Sequence, residues 1–214
     1  MKKGYCFLLE ASGSLTAAYL IENIKKAKAK VFASDISSCY GRFLADGFLT
    51  FPRSTEPALW EVMEREIKDH QINVVIPSLD ETLHQWSAKK EYFLKHGVHV
   101  ILSDSETIEV CQDKWKTFQF FSSHNIPTPA TSLNFKFPLV KQRLGRGGKG
   151  ILVNPAQGTF SMDGMISQEL LQGKEYTIDV FCDRHGDPVY IIPRLRLHIK
   201  DGKSLNGITV ENSA

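Results

Sequence analysis

Short apolar runs alternate with amphipathic stretches over the first hundred residues. Tyr5–Leu9 is apolar, and Leu15–Ala29 follows with apolar residues at helical spacing and lysines towards its end, as the carboxyl end of a helix prefers. The same alternation continues through Val31–Ser34, Trp60–His70, Val74–Ile76, Asp80–Leu94 and Val98–Leu102. Strands that alternate with helices predict an α/β fold, with a parallel sheet that has helices on both faces.

The carboxyl ends of the predicted parallel strands carry polar residues. They are found at Glu10–Ser14, at Asp35 and at Pro77–Glu81. Ligands of open α/β sheets bind at this edge, so part of a substrate site is expected at 10–14 and at Asp80 and Glu81. The same residue types are common in caps and turns, and both interpretations stay open.

The pattern changes after Pro129. The segments become short and are joined by turns that contain Gly, Asp or Asn, which is typical of antiparallel strands. They are predicted at 137–142, 150–154, 165–170, 175–182, 188–193 and 195–200. We therefore divide the chain into an α/β domain at 1–103, a helical bridge at 104–130 with a helix that opens at Asp113, and a partial α+β domain at 131–214.

Composition and charge narrow the class of protein. The chain has 214 residues, of which 42% are hydrophobic and 23% charged, and its net charge is +2. This balance gives no reason to expect nucleic acid or an anionic membrane as a partner. The four cysteines lack metal-site spacing and are expected to be reduced thiols. No apolar run approaches a membrane span, and the predicted location is the cytoplasm.

The glycine loop, residues 145–150, reads GRGGKG and matches the G-x-G-x-x-G pattern. A dinucleotide site needs a helix directly after these glycines, because the start of the helix holds the pyrophosphate. Residues 151–155 read ILVNP instead, which predicts a short strand ended by proline. The glycine loop is therefore predicted to join two antiparallel strands, and the P-loop pattern is absent as well.

A glycine-rich hairpin can hold phosphates, because its backbone N–H groups approach them without obstruction by Cβ atoms. Arg143, Arg146 and Lys149 raise the positive potential around the loop, and Lys141 lies on the strand before it. Residues 167–179, SQELLQGKEYTID, follow with a strand end that can present backbone groups to adenine. Glu175 can then accept from ribose hydroxyls. A flexible hairpin with solvated basic side chains and a surface acid is the alternative.

These segments together resemble the ATP-grasp superfamily. The matching pieces are Asp113-Lys114, NIPTPAT at 125–131, FPLVKQRLGRGGKGI at 137–151 and SQELLQGKEYTIDVF at 167–181. Upstream, VVIPSLDET at 74–82 and HVILSDSETIEVCQDK at 99–114 are similar to the domain that precedes ATP-grasp in enzymes like the carbamoyl-phosphate synthase large subunit.

The resemblance implies a role for each matching position. Lys114 and Lys141 would bind the phosphates of ATP, and the adenine would lie against Gln168, Glu169, Leu170 and Leu171. Glu175 would hold the ribose. Arg194, with Arg196 as the alternative, would lie near the acyl phosphate and the substrate carboxylate. The loop that closes over the phosphates would consist of Gly145, Arg146, Gly147, Gly148, Lys149 and Gly150.

The resemblance also implies a magnesium site, which ATP-grasp enzymes build from late acids and an asparagine. Glu211 and Asn212 come too early and are adjacent rather than spaced, so they are not assigned as ligands. No metal ligand is predicted within the chain, and Mg²⁺ ligands are expected beyond its C-terminus. We therefore expect a chain that lacks the final ATP-grasp subdomain. A homodimer and a complementary C-terminal chain both stay open as partners.

The predicted function is the ATP-binding part of a ligase that activates a small carboxylate as an acyl phosphate for attack by an amine. One alternative is an NAD(P)-binding domain, because Tyr5–Asp35 gives strand, turn, helix, strand and a terminal acid. That turn contains Gly13 alone where three glycines are expected. The other alternative is a non-catalytic ATP-binding module.

Overall fold

The computed structural model describes residues 4–148, 150–183, 185–200 and 202–211. It divides into two compact units, the first ending at Glu109 and the second beginning at Val110. The three-segment division at 103 and 130 stays a prediction, because the units are defined by compactness and not by function.

The first unit is built on a five-stranded parallel sheet, as the alternating pattern predicted. Its strands are β1 (Cys6–Leu9), β2 (Lys30–Asp35), β3 (Gly47–Thr50), β4 (Val74–Ile76) and β5 (His99–Val100). The spatial order is β3-β2-β1-β4-β5, so the winding direction reverses between β1 and β4. The helices are α1 (Ala17–Lys26), α2 (Leu59–Asp69), α3 (Leu83–Lys95) and α4 (Ser105–Gln112), of which α4 crosses the unit boundary.

Both faces of this sheet are buried, which explains the continuous apolar runs of its strands. Successive side chains of a strand point to opposite faces. Leu8 accordingly packs in a cluster with Trp86 and Met63, whereas Leu9 packs in a second cluster with Ile21. Short 3-10 helices at Tyr40–Phe43 and Asp80–Thr82 complete the connections.

The second unit begins with the end of α4 and with α5 (Lys114–Ser123), followed by a four-stranded antiparallel sheet. Its strands are β6 (Thr131–Ser132), β7 (Leu139–Gln142), β8 (Leu152–Val153) and β9 (Met165–Gln168), in the order β6-β9-β7-β8. Val140, Ile166 and Ser167 are completely buried in it. This sheet places β7 between β9 and β8.

A three-stranded antiparallel sheet follows in the same unit, made of β10 (Tyr176–Cys182), β11 (Pro188–Lys200) and β12 (Lys203–Thr209). The two strands predicted at 188–193 and 195–200 are in fact the single strand β11, and β12 was not predicted. Pro193 does not end β11, because it lies opposite Ile178 in the ladder without interrupting it. Among the described residues, no helix of either unit is both long and apolar enough to cross a membrane.

Candidate nucleotide site

The glycine loop joins β7 to β8 as an antiparallel hairpin, as predicted. Leu139 pairs with Val153 and Val140 with Leu152, and the described residues after the loop contain strands and no helix. Gly145, Gly147, Gly148 and Gly150 have φ angles of 138°, 69°, 67° and 69°. Residues other than glycine rarely adopt these φ angles, so the backbone path of the loop requires the glycines. Lys149, which the sequence placed in the site, lies outside the described residues.

Asp113 positions the start of α5 beside the end of β7. Its carboxylate caps the helix by accepting from the backbone N–H of Trp115 at 2.9 Å, and it also accepts from Nε of Arg143 at 2.8 Å. Burial acts to raise the pKa of Asp113, but the hydrogen bonds from Arg143 and from the helix N–H groups outweigh it. The pKa of Asp113 therefore lies below its ordinary value.

Lys114 follows directly after this cap and reaches the glycine loop. Its Nζ donates to the carbonyl oxygen of Gly145 at 2.7 Å, and its backbone N–H donates to the carbonyl oxygen of Arg143 at 3.3 Å. Lys114 is the first residue of α5, directly after the capping Asp113. This position holds its ammonium group at the base of the loop.

Lys141 lies on β7 and points towards the same place. Its Nζ donates to Oε1 of Gln168 on β9 at 2.6 Å. Burial lowers the pKa of Lys141, and the charge of Lys114 lowers it further. Two like charges that disfavour each other mark a position where an anion is stabilised.

The predicted adenine segment begins where β9 ends. The N–H of Glu169 donates to the carbonyl oxygen of Ala130 at 2.9 Å, and its carboxylate accepts from the N–H of Ala130 at 3.2 Å. Leu170 is partly buried and Leu171 is exposed. The N–H of Glu169 is therefore engaged within the protein.

Glu175 lies just before β10, and the two predicted arginines lie on β11. Arg196 forms an ion pair with Glu175, and its Nη2 donates to the carbonyl oxygen of Gly202 at 2.8 Å. Arg194 pairs instead with Asp179, and Nη2 of Arg194 donates to Asp179 at 3.1 Å. Each arginine thus has an acidic partner that offsets its charge.

A cavity of about 330 Å³ lies in the second unit where the glycine loop meets β11. It collects eight of the predicted residues, namely Lys114, Lys141, Gly145, Arg146, Gly147, Gly148, Glu175 and Arg196. Four of these carry positive charge and one is acidic. The other described residues of the predicted site do not line this cavity; they are Gly150, Gln168, Glu169, Leu170, Leu171 and Arg194.

Four lining residues were missed by the sequence analysis, namely Gln142, Ile151, Ile199 and Gly202. The side chain of Gln142 lies against the loop, since a Cβ atom at Gly145 would come within 2.7 Å of its Oε1. Its position directly after Lys141 was the available signal. Gly202 reaches the loop from a distant hairpin, and no local pattern predicts that contact.

The carboxyl edge of the first sheet holds a separate cavity of about 130 Å³, lined in part by Glu10 and Asp35. Glu10 is buried and accepts from Thr82 Oγ1 at 2.9 Å and from Trp86 Nε1 at 3.3 Å. Burial raises its pKa, although these hydrogen bonds act in the opposite direction. Asp35 accepts from the N–H of Gly13 at 2.9 Å. Both acids therefore stabilise the turns at this edge.

The second unit agrees with a known family. Residues 111–213 match the family model described as the ATP-grasp domain. The second unit is an ATP-grasp domain. Residues 8–101, which contain the parallel sheet, match the PylC-like N-terminal domain, so this ATP-grasp protein joins both domains in one chain.

Solved structures share the fold of this ATP-grasp protein. The L-amino acid ligase from Bacillus licheniformis is 12% identical, with a TM-score of 0.74, and the match covers 100% of this chain and 56% of the ligase chain. N5-carboxyaminoimidazole synthetase from Staphylococcus aureus, solved with ADP, is 16% identical with a TM-score of 0.70, covering 94% and 57%.

The biotin carboxylase domain of the Hydrogenobacter thermophilus 2-oxoglutarate carboxylase was solved with MgADP, ADP and bicarbonate. It is 16% identical, with a TM-score of 0.70, and the match covers 95% of this chain and 52% of the carboxylase chain. The ATP-grasp chain thus spans about half the length of these three proteins. No curated protein sequence matches it significantly.

Proposed function

We propose that this chain is the ATP-binding part of a ligase that activates a carboxylate as an acyl phosphate for attack by an amine. The observation that carries the proposal is the cavity in which Lys114, Lys141, Arg146 and Arg196 surround the backbone of the glycine loop, with Glu175 at its side. A concentration of cations around a glycine-rich loop suits a polyphosphate.

ATP would lie with its phosphates between the two lysines and the loop. Oε1 of Glu175 pairs with Arg196, and its other carboxylate oxygen would accept from the ribose hydroxyls. The adenine would contact the end of β9, where the carbonyl oxygen of Glu169 would accept from the exocyclic amine and the N–H of Leu171 would donate to the ring. The fold shared with two proteins solved as ADP complexes supports this arrangement.

The chemistry would depend on positioning and charge. An oxygen of the substrate carboxylate attacks the γ-phosphorus, ADP leaves, and the amine then displaces phosphate from the acyl carbon. Lys114 and Lys141 would neutralise the charge that develops on the transferring phosphoryl group. Arg196 lines the cavity, whereas Arg194 does not. We therefore propose Arg196, rather than Arg194, as the contact for the acyl phosphate.

Magnesium would accompany the ATP, as it does in the MgADP complex of the Hydrogenobacter thermophilus protein. Among the described residues, no group of three or more His, Cys, Asp or Glu side chains is placed to hold a metal ion. The described part of the chain therefore does not supply a metal site of this kind.

The substrates are proposed only as classes, a small carboxylate and an amine. The structural neighbours include an amino acid ligase, a carboxyaminoimidazole synthetase and a biotin carboxylase. They support the ligase class broadly, and the narrower likeness to carbamoyl-phosphate synthase stays a proposal. The cytoplasmic location, a homodimer and a complementary chain are proposals of the same kind.

The rival NAD(P) interpretation is weakened by Asp35. Its two carboxylate oxygens accept from the N–H groups of Gly13 and Ile36 at 2.9 and 2.8 Å. An acid engaged in this way has less capacity to hold a ribose, so the β1–α1 turn is better suited to closing the sheet edge.

Isothermal titration of the chain with ATP tests the proposal. Lys141→Ala is expected to weaken ATP binding by about tenfold or more, because a charge-assisted hydrogen bond contributes about 1.5–3 kcal/mol. Lys95→Ala, which removes an exposed lysine of the first unit, is the matched control and is expected to leave affinity unchanged. Equal affinity of wild type and Lys141→Ala, or saturable NADH binding without ATP binding, would refute the proposal.

A further inference from the structure

The hydrogen-bond partner of Lys141 is a neutral amide. Oε1 of Gln168 accepts from Nζ at 2.6 Å, across two strands that pair directly. An ammonium group has three N–H donors, and a neutral acceptor uses one of them without cancelling the charge. The orientation of the Gln168 amide therefore decides whether Lys141 meets an acceptor or another donor.

The hydroxyl of Thr131 fixes that orientation. Its Oγ1 donates to the carbonyl oxygen of Pro129 at 2.9 Å and lies 2.8 Å from Nε2 of Gln168. A hydroxyl has a single proton, and because Pro129 receives it, Thr131 can only accept from Gln168. The nitrogen of the amide must then face Thr131, and its oxygen must face Lys141.

Thr131 is well placed to enforce this order. Its exposed fraction is 7%, so bulk water has little access to replace the hydroxyl. The backbone pairing of β6 with β9 involves Thr131 and Gln168 directly, which holds the two side chains side by side. The chain of hydrogen bonds thus runs from a main-chain carbonyl through two neutral side chains to the ammonium group.

We propose that Thr131 is a positioning residue of the nucleotide site, which sets the Gln168 amide so that the charged Lys141 is held facing the cavity. The proposal rests on the proposed function for its effect on ATP, but not for the orientation itself. Thr131 does not line the cavity, and it acts only through Gln168.

Thr131→Val and Thr131→Ser separate positioning from a structural role, because valine keeps the shape and branching while serine keeps the hydroxyl. The first measurement is the pKa of Lys141 in the nucleotide-free full chain. It is determined by NMR, from the change in the chemical shift of the Lys141 Cε signal with pH. Valine is expected to lower this pKa further, because a hydrogen bond to the ammonium group favours the charged form. Serine is expected to leave the pKa at the wild-type value.

The second measurement is ATP affinity. Thr131→Val is expected to bind ATP about three- to tenfold more weakly, equivalent to one hydrogen bond lost, and Thr131→Ser is expected to restore binding. Thermal unfolding accompanies both, and Thr131→Ala replaces the valine variant if the latter does not fold. An unchanged pKa of Lys141 in a folded valine or alanine variant overturns the positioning role.

The two measurements fail separately. If wild type does not bind ATP while valine shifts the pKa of Lys141, the proposed function falls and the positioning role stands. If wild type binds ATP and neither value changes in the folded variant, the positioning role falls and the proposed function stands.

Discussion

Gly202 lies so close to Gly147 that the β11–β12 turn and the glycine loop touch through their backbones. A Cβ atom at Gly202 would lie 2.9 Å from the carbonyl carbon of Gly147 and 2.9 Å from the amide nitrogen of Gly148. Approaches below 3.0 Å to backbone atoms cannot be relieved by moving a side chain. The conformation of the loop thus depends on a hairpin more than fifty positions later in the chain.

Gly202→Ala is expected to displace the glycine loop and to weaken ATP binding. The φ angle of +71° adds strain of about 1 kcal/mol. Gly186→Ala is the matched control, because its φ angle of +89° imposes similar strain whereas nothing lies within 4 Å of the added atom. Calorimetric titration with ATP should show a larger loss for position 202, and equal effects of the two variants would contradict the contact.

Asp113 is expected to stabilise the second unit in a pH-dependent way. Because its pKa is lowered by folding, its contribution is fully present above the unfolded value of about 3.9 and is lost as pH falls through the lower folded value. Asp113→Ala should cost about 1 kcal/mol for the helix cap alone, with a further loss for the Arg143 pair.

Asp113→Asn separates these two contributions, because asparagine still caps a helix but carries no charge for Arg143. Denaturant unfolding at neutral pH and near pH 3 measures both variants. The difference between wild type and Asp113→Asn should shrink as the pH falls. A difference that stays constant with pH would show that the ion pair does not contribute.

Glu10 is expected to be required for the stability of the first unit. Glu10→Ala removes the acceptor of Thr82, of Trp86 and of two backbone N–H groups, at Ser78 and Leu79. Each buried donor left without a partner costs about 1–3 kcal/mol, so a loss of about 3 kcal/mol or more is expected. Glu91→Ala, at an exposed position of α3, should change little in the same denaturant titration.

The pH dependence of Glu10 has the opposite sign to that of Asp113. Burial raises its pKa, so the folded state holds the proton more tightly than the unfolded chain. The corresponding stability is full below the unfolded value of about 4.3 and is lost as pH rises through the folded value. The advantage of wild type over Glu10→Ala should therefore decrease from pH 4 towards neutral pH, and an increase would contradict the raised pKa.

The parallel sheet and the glycine hairpin could be predicted because their signals are local. Leu8 and Leu9 belong to continuous apolar runs, and the ILVNP stretch excludes a helix after the glycines. β3 was missed because Gly47–Thr50 has four residues and begins with glycine. β11 was divided at Pro193 because proline normally ends a central strand, whereas the ladder accommodates it here.

The sequence named many of the residues that line the cavity, but it did not predict their connections. Lys114, Lys141 and Glu175 were named from the order of short motifs, and the structure places all three along one cavity; their roles stay predictions. The contact of Gly202 with the loop joins positions at least 54 residues apart. The hydrogen bond between Thr131 and Gln168 joins positions 37 residues apart. Such contacts depend on strand register, and composition or periodicity does not encode them locally.

The clamp between Asp113 and Arg143 affects how mutations of this protein should be interpreted. Asp113 precedes Lys114 by one position, Arg143 follows Lys141 by two, and neither lines the cavity. A carboxylate outside the cavity therefore ties together the two segments that carry the ammonium groups. A variant that weakens the ion pair between Asp113 and Arg143 would have the same effect on binding as the loss of a phosphate contact. Measuring its free energy of unfolding would distinguish a displaced lysine from a missing one.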